Sequence, residues 1–443
     1  MNFLILPQNK GFMKKNIDSD DQPISISDNV DSKQNNNSEI NKLYDKIKIV
    51  NWNIGGAKYL EEPKDKRDKI KKRIQNEIIE LIHAFKPDII TLQEIVRYGK
   101  KNEKEKAEDI IDIDFINKEI YHRYGLEILD ELVQYEYFSF PLVENEKLSS
   151  KAKWDKVMFK EKTNKSGEKE KFENWPTDSY FAQGNAIMFR KNLPHFPVWD
   201  LSKIEDPKKN RIPSGNHAIE QINLDNGLYF GDRDTEPRAA LIAHFIVNPI
   251  NNSTYEEKKG DIKEYFIPYD IFVVNVHLTT LMGEREGIPE IDLKASKIRL
   301  TQLNVIIDGI ISRYNNWRRI GYKIRNKDRT VEDWETYTRH EPLWIIAGDF
   351  NFTPESEEYR SILGINFKDV IPNKKNGSKA KGAGNKATLT LDYVFAGPKY
   401  LALDPIIIDN EINANSVHDH YKASDHKPMD ATIPIVIPLP KKK

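Results

Sequence analysis

The sequence predicts an α/β fold of the α+β kind, with two packed, mostly antiparallel sheets, outer helices and insertions. Three observations lead there. Short apolar runs with strand grammar recur along the chain. Most are separated by loops rather than by regular crossover helices. Longer stretches carry apolar residues at helical spacing. Taken in order, IKIVNWNI (47–54) reads as a strand. Residues 66–86 place Ile70, Ile74, Ile78, Leu81, Ile82 and Phe85 at helical spacing, and Pro87 closes that helix. DIITLQE (88–94) is a short, nearly continuous apolar strand. The same pattern returns in GNAIMFR (184–190), RAALIAHFIV (238–247), IFVVNVHL (271–278), LWIIAGDF (343–350), LTLDYVFA (389–396) and ATIPIVI (431–437). A long helix is expected at 293–313, and no fixed-period repeat is present.

Composition narrows the chemistry. The 443 residues include 68 Lys and Arg against 69 Asp and Glu, a net charge of -1, so a nucleic-acid or lipid partner needs a local basic patch. The absence of cysteine excludes disulfides, thiolate nucleophiles and cysteine metal sites. The first apolar run is only Phe3 to Leu6, short of a secretory segment, and no stretch approaches the ~20 residues of a membrane span. A cytoplasmic protein is the expectation. Residues 1–45, rich in Asn, Ser, Asp and Lys, read as a disordered leader, 46–438 as the folded domain and 439–443 as a basic tail. Two segments read as insertions. One is 97–180, with a helix candidate at 107–135; the other is 313–341, which is basic and aromatic.

The chemistry-bearing residues stand at strand ends, where a sheet presents groups to a cleft. Asn53 ends the first strand in NWNIGG and Glu94 the second in TLQE. His277 ends VVNVHL, and Asp349 and Asn351 close WIIAGDFN. Asp392 lies in LTLDYVF, and Ser424, Asp425 and His426 precede the last strand. Any one of these alone is an ordinary capping, turn or core residue. Together they form a kit for one reaction. Glu94, Asp349 and Asp425 offer the hard carboxylate oxygens that Mg²⁺ prefers, and Asn53 and Asn351 offer amides for a metal or a phosphate oxygen. His426 backed by Asp392 suits a general base, because a carboxylate fixes the tautomer and favours the imidazolium. His277 suits a donor to developing negative charge.

NWNIGG, LQE, GNAIMFR, NVHL, GDFN, LDYVF and SDHKP, in that order, resemble the endonuclease/exonuclease/phosphatase superfamily over roughly residues 47–437 minus the insertions. The resemblance implies a four-layer α/β/β/α sandwich of the deoxyribonuclease-I type. It also implies a divalent metal, Mg²⁺ with Mn²⁺ as the alternative, at Glu94 with Asn53 beside it and Asp425 nearby. Asp349 and Asn351 match the pair that holds the phosphate and the attacking or leaving oxygen. His426 matches the catalytic histidine and Asp392 the aspartate that orients it. Within the family, either Asp349 or His426 activates the water, and both assignments stay open at this stage. His277 matches the second histidine of the nuclease, sphingomyelinase and 5-phosphatase branches. Arg238, in EPRAALIAHF, resembles an arginine often found at the start of this strand.

For the substrate, RYNNWRRIGYKIRNKDR (313–329) carries seven Lys and Arg against one acidic residue, with aromatics interleaved. Arg318 and Arg319 would track a phosphate backbone, and Trp317 would stack on a base. The expectation is therefore a phosphodiesterase acting on nucleic acid, DNA first. An anionic phospholipid or an inositol phosphate is the alternative substrate, and a binding module that keeps the fold without the chemistry is the reading from a different class.

Overall fold

The computed structural model of the chain describes residues 43–44, 46–132, 135–144, 158–164, 166–190, 193, 195–196, 219–224, 238–249, 253–258, 261–266, 269–279, 289–307, 342–371, 377–380, 385–397, 416–418 and 420–435. The expected leader (apart from Leu43 and Tyr44), the insertion at 313–341 with Trp317, Arg318 and Arg319, and the tail at 439–443 lie outside them.

Nine strands carry the two large sheets: β1 (Lys46–Asn53), β2 (Ile89–Lys100), β3 (Tyr135–Glu144), β4 (Ser179–Arg190), β5 (Ala239–Pro249), β6 (Tyr269–His277), β7 (Leu343–Asp349), β8 (Asp392–Gly397) and β9 (Met429–Pro434). One sheet runs β5–β6–β7–β8 and the other β9–β1–β2–β4–β3, with shorter strands on their margins. Pairing among these nine is antiparallel except for one parallel pair in each sheet, β6 with β7 and β1 with β2. Among the described residues the α-helices are α1 (Gly56–Glu61), α2 (Lys64–Phe85), α3 (Ile113–Leu132), α4 (Pro289–Asn304) and α5 (Glu357–Gly364).

The strands read as continuous apolar runs because both faces of each sheet are covered. Successive side chains point to opposite faces. Ile47 and Ile49 of β1 enter one buried cluster with Ile271 and Val273 of β6 and Leu343 and Ile345 of β7, so this cluster joins the two sheets. Val50 and Trp52 turn to a second cluster with Ile74, Ile78, Leu81 and Ile82 of α2. Phe272, Val274, Trp344 and Ile346 turn to a third, which includes Leu303 of α4 and Ile362 of α5. A buried Arg299–Glu358 ion pair (2.9 Å) ties α4 to α5.

Three expectations are revised. The stretch 97–180 is not wholly an excursion. β2 runs on to Lys100, and β3 pairs with β4 at the sheet edge. Within it the helix starts at Ile113 rather than 107, because Glu108 and Asp109 pair with β2, where Arg97 clasps Asp109 through two 2.8 Å bonds. Asp112 then caps the helix by accepting from the Phe115 N–H (2.9 Å). The helix expected at 293–313 starts earlier, its α-helical part running Pro289–Asn304 with a further helical turn at 305–307, and 308–313 lie outside the described residues. No helix among the described residues is long and apolar enough to cross a membrane.

Candidate active site

The two parallel pairs and the antiparallel β7–β8 pair place the polar residues side by side. In register, His277 lies opposite Asp349, Asp349 opposite Asp392, and Asn53 opposite Gln93. The close approach of β6 and β7 needs a glycine, since a Cβ on Gly348 would sit 1.9 Å from the Val276 carbonyl. Two of the candidates hold the left-handed backbone: Asn351 (φ 53), where asparagine is readily accommodated, and Glu94 (φ 55), where a side chain of this kind is strained. Such strain persists where the surroundings impose it, and it clusters at functional sites.

Asp349 is the hub. Its Oδ2 accepts from Asn53 Nδ2 (2.9 Å) and lies 3.5 Å from His426 Nε2 and 3.7 Å from His277 Nε2. Its Oδ1 accepts from the Asn351 N–H (3.0 Å). Burial pushes the Asp349 carboxyl up to about 6, against the pull of His426, Lys379 and Asn53 and with the help of Asp392. Asn351 Nδ2 donates to the Leu278 carbonyl (3.1 Å), which fixes the turn after β7. Asn53 donates a second bond to Glu94 Oε1 (3.2 Å), while its own Oδ1 accepts from the Gly55 N–H (3.0 Å). Its amide nitrogen therefore stands between two carboxylates.

His426 Nδ1 faces both oxygens of Asp392, at 2.9 and 3.1 Å. The pair is fully enclosed. Burial lowers the His426 pKa and Lys379 lowers it further, but the charges of Asp392 and Asp349 and the bond to Asp392 outweigh them, so the imidazole titrates above its ordinary range. The His426 carbonyl accepts from Trp52 Nε1 (3.1 Å), and its N–H donates to Ser424 Oγ (3.1 Å).

Two residues that sequence reading missed complete this group. Buried Ser378 donates from Oγ to Asp392 Oδ2 (2.6 Å) and accepts from the N–H groups of Leu391 and Asp392. Lys379 places Nζ 2.5 Å from His426 Nε2 and 3.1 Å from Asp425 Oδ2. Both lie in GSKAKG, whose composition signals only a turn. The bridge between Lys379 and His426 brings them in. Asp425 also binds Lys58. Burial alone would raise its pKa, but Lys379, His426 and Lys58 hold it well below the carboxylate range. Arg238 is buried immediately before β5, its carbonyl accepting from the Leu224 N–H (3.0 Å).

Asp349, Asp392 and His426 offer ligand atoms within 4.8 Å of one another. Asp392, however, is committed to His426 and Ser378, so this group is built to handle a proton. The donors that fit a hard divalent cation are the neighbouring carboxylates of Glu94 and Asp349, which the Asn53 NH₂ links by donating to both. Glu94 sits on a bulge in β2, between the register pairs Leu92↔Ala186 and Ile95↔Gly184, which re-aims its side chain. The bulge packs onto NIGG so closely that a Cβ on Gly56 would lie 1.9 Å from the Glu94 carbonyl. Gly56→Ala is thus expected to displace Glu94. It should cost about 1–3 kcal/mol of stability in a urea titration, the usual range for overpacking, and lower activity beyond what that loss accounts for.

A pair of sheets presenting carboxylates, amides and an aspartate-backed histidine at adjoining strand ends defines a phosphoester hydrolase. The chain belongs to the endonuclease/exonuclease/phosphatase family, whose sequence model matches residues 50–426. No curated protein matches the chain. Solved structures similar to it include the human Nocturnin catalytic domain with bound sulfate anion (14% identity, 89% of this chain and 95% of that one, TM-score 0.41). D. rerio TDP2 complexed with single strand DNA product is another (13%, 88% and 99%, 0.40). A third is a Bacteroides thetaiotaomicron mannosyl-6-phosphatase (14%, 88% and 100%, 0.41). Likeness of this size does not extend to substrate.

Proposed function

We propose that this chain is a divalent-metal-dependent phosphodiesterase that hydrolyses its substrate by in-line attack of an activated water, with DNA as the substrate class. The observation that carries the chemistry is the convergence of Asn53, His277 and His426 on one oxygen of Asp349, with Asp392 behind His426. Support for nucleic acid comes from the basic, aromatic run 313–329 in the sequence.

Bound at Glu94 with Asn53 beside it, Mg²⁺ or Mn²⁺ would supply charge neutralisation at a non-bridging phosphate oxygen. The protein side groups do the rest. Asp392 accepts a hydrogen bond from the Nδ1–H of His426, leaving Nε2 as the proton acceptor for water. Asp349, already accepting on both oxygens, acts as the anchor that orients Asn53 and both histidines. That arrangement favours His426 over Asp349 as the base. His277 and Asn351 stand where negative charge develops on the transferring group. Asp425, held by two lysines, organises cations beside the histidine rather than serving as the principal metal carboxylate.

Lys379 occupies Nε2 of His426 before substrate arrives. Its ammonium passes to a phosphate oxygen on binding, which frees the base. Lys379→Ala is expected to raise KM more than it lowers kcat, and steady-state kinetics on a short oligonucleotide read the split.

The decisive test is a substrate panel of supercoiled plasmid, single-stranded oligonucleotide, a lipid phosphodiester and an inositol phosphate. Each is run with Mg²⁺ and with EDTA, using wild type and His426→Ala. Metal-dependent cleavage of nucleic acid alone, absent in the variant, supports the reading. Turnover of lipid or inositol phosphate alone overturns the substrate, and binding without turnover on any member overturns the chemistry.

A further inference from the structure

We infer that Asn275 is the positioning residue for Glu94, acting on it from the opposite sheet. This rests on the reading of Glu94 as the metal carboxylate. Asn275 lies in β6, two residues before His277, and is fully buried. Its side chain is spent on the second sheet. Nδ2 donates to the carbonyls of Leu92 (2.9 Å) and Ala186 (2.8 Å), and Oδ1 accepts from Gln93 Nε2 (2.7 Å). Leu92 and Ala186 are the last register pair before the bulge, and Gln93 is the bulge residue preceding Glu94. One carboxamide thus holds the bulge at the point where the chain turns into the left-handed conformation of Glu94.

Other partners close the remaining sides. Gln93 Nε2 also donates to Asn51 Oδ1 (2.9 Å), which accepts from Thr91 Oγ1 (2.8 Å) as well. Asn51 Nδ2 reaches back across the sheets to the Gly348 carbonyl (3.3 Å), next to Asp349. The Gln93 carbonyl takes the Ile54 N–H (3.1 Å), just past Asn53. The apolar cluster between the sheets binds them without direction, whereas hydrogen bonds set a register. The Asn275 amide therefore fixes the Glu94 carboxylate relative to His277 and Asp349, which come from the other sheet. Without it, three buried polar groups lose a partner, and the residues immediately before the strained Glu94 lose the bonds that hold the bulge.

The experiment compares Mn²⁺ binding to the free protein, by electron paramagnetic resonance, for wild type, Glu94→Gln, Asn275→Ala and Gln75→Ala. Gln75 is a buried α2 residue bonded to the Ile110 carbonyl, outside the site, and serves as the control for simple loss of a buried hydrogen bond. Hydrogen exchange over residues 92–96 is followed in the same proteins. Expected are loss of Mn²⁺ binding in Glu94→Gln, and in Asn275→Ala a Kd about tenfold to a hundredfold weaker, the range for groups that orient metal ligands, with faster exchange confined to 92–96. Gln75→Ala keeps the wild-type Kd. If Asn275→Ala is insoluble, Asn275→Ser carries the test, retaining one donor and giving an intermediate Kd. Unchanged Kd and exchange in the Asn275 variants, with Glu94→Gln defective, overturn the inference alone. An equal weakening in Gln75→Ala also overturns it. Wild-type Mn²⁺ binding by Glu94→Gln overturns the metal reading; local exchange in Asn275→Ala still decides whether Asn275 holds the bulge.

Discussion

His426→Ala is expected to lower kcat by about 10²–10⁴-fold, the range that a positioned acid–base group contributes, with little change in KM and a lowered unfolding midpoint, since Asp392 loses its buried partner. The size follows from the enclosure of the group. His426 is held by Asp392 at Nδ1 and by backbone bonds from Trp52 and to Ser424, so the nitrogen that takes the proton is pre-aimed. Asp392→Asn should fall in the same range, because an amide presents its NH₂ or its oxygen to Nδ1 without a charge and loses control of the tautomer. The two can be told apart by pH. A base must be neutral to act, and His426 is raised above the ordinary histidine value of 6.5 chiefly by the charges that offset its burial. The wild-type rate should therefore rise with pH through a limb above 6.5. Asp392→Asn removes the largest upward pull and should move that limb to lower pH. A stopped assay over a pH series at saturating metal checks both. Wild-type kcat in His426→Ala, or a limb that stays put in Asp392→Asn, rejects the assignment.

The polar ends of strands were legible because apolar runs announce the strands and an abrupt Asn, Glu, His or Asp breaks each run. Asn53, His277, Asp349 and Asp392 all carry that signal, and the structure brings them within one cluster. What stayed hidden depends on partners distant in sequence. Ser378 looks like a turn serine until the chain folds its hydroxyl onto Asp392. Lys379 looks like a solvated cation until a bridge pairs it with His426, 47 positions away. Asn275 and Gln93 look like ordinary strand residues; only the packing of one sheet on the other, across 182 positions, makes them a pair. β3 was obscured for a different reason. Tyr135–Glu144, YEYFSFPLVE, is apolar and aromatic, but it falls within the expected insertion 97–180, and an edge strand needs a neighbour to define its register.

Glu94→Gln is expected to abolish metal-dependent turnover and to leave the fold intact. The substitution keeps the volume and the Asn53 contact, since Asn53 Nδ2 can donate to an amide oxygen as it does to Glu94 Oε1. It removes one full charge from the ligand set, and hard-cation affinity is set largely by the count of ligand charges. A metal ion acting as Lewis acid contributes several kcal/mol at the transition state, so losing it should cost on the order of 10²–10⁴-fold in kcat/KM. The loss should be partly recovered at high Mg²⁺ if the remaining donor, Asp349, still attracts the ion. In His426→Ala added Mg²⁺ should recover nothing, because the missing function there is proton transfer. Titrating Mg²⁺ against activity for both variants separates the two roles. A Glu94→Gln enzyme with wild-type rate and wild-type metal dependence would mean that the cation binds elsewhere. The strained bulge at Glu94 would then need another purpose. Its backbone lies against Gly56, its side chain against Asn53, and its flank is clamped from the opposite sheet. Three separate elements converge to hold one carboxylate in an unfavourable backbone conformation, and capping or solvation of a strand end would require none of them.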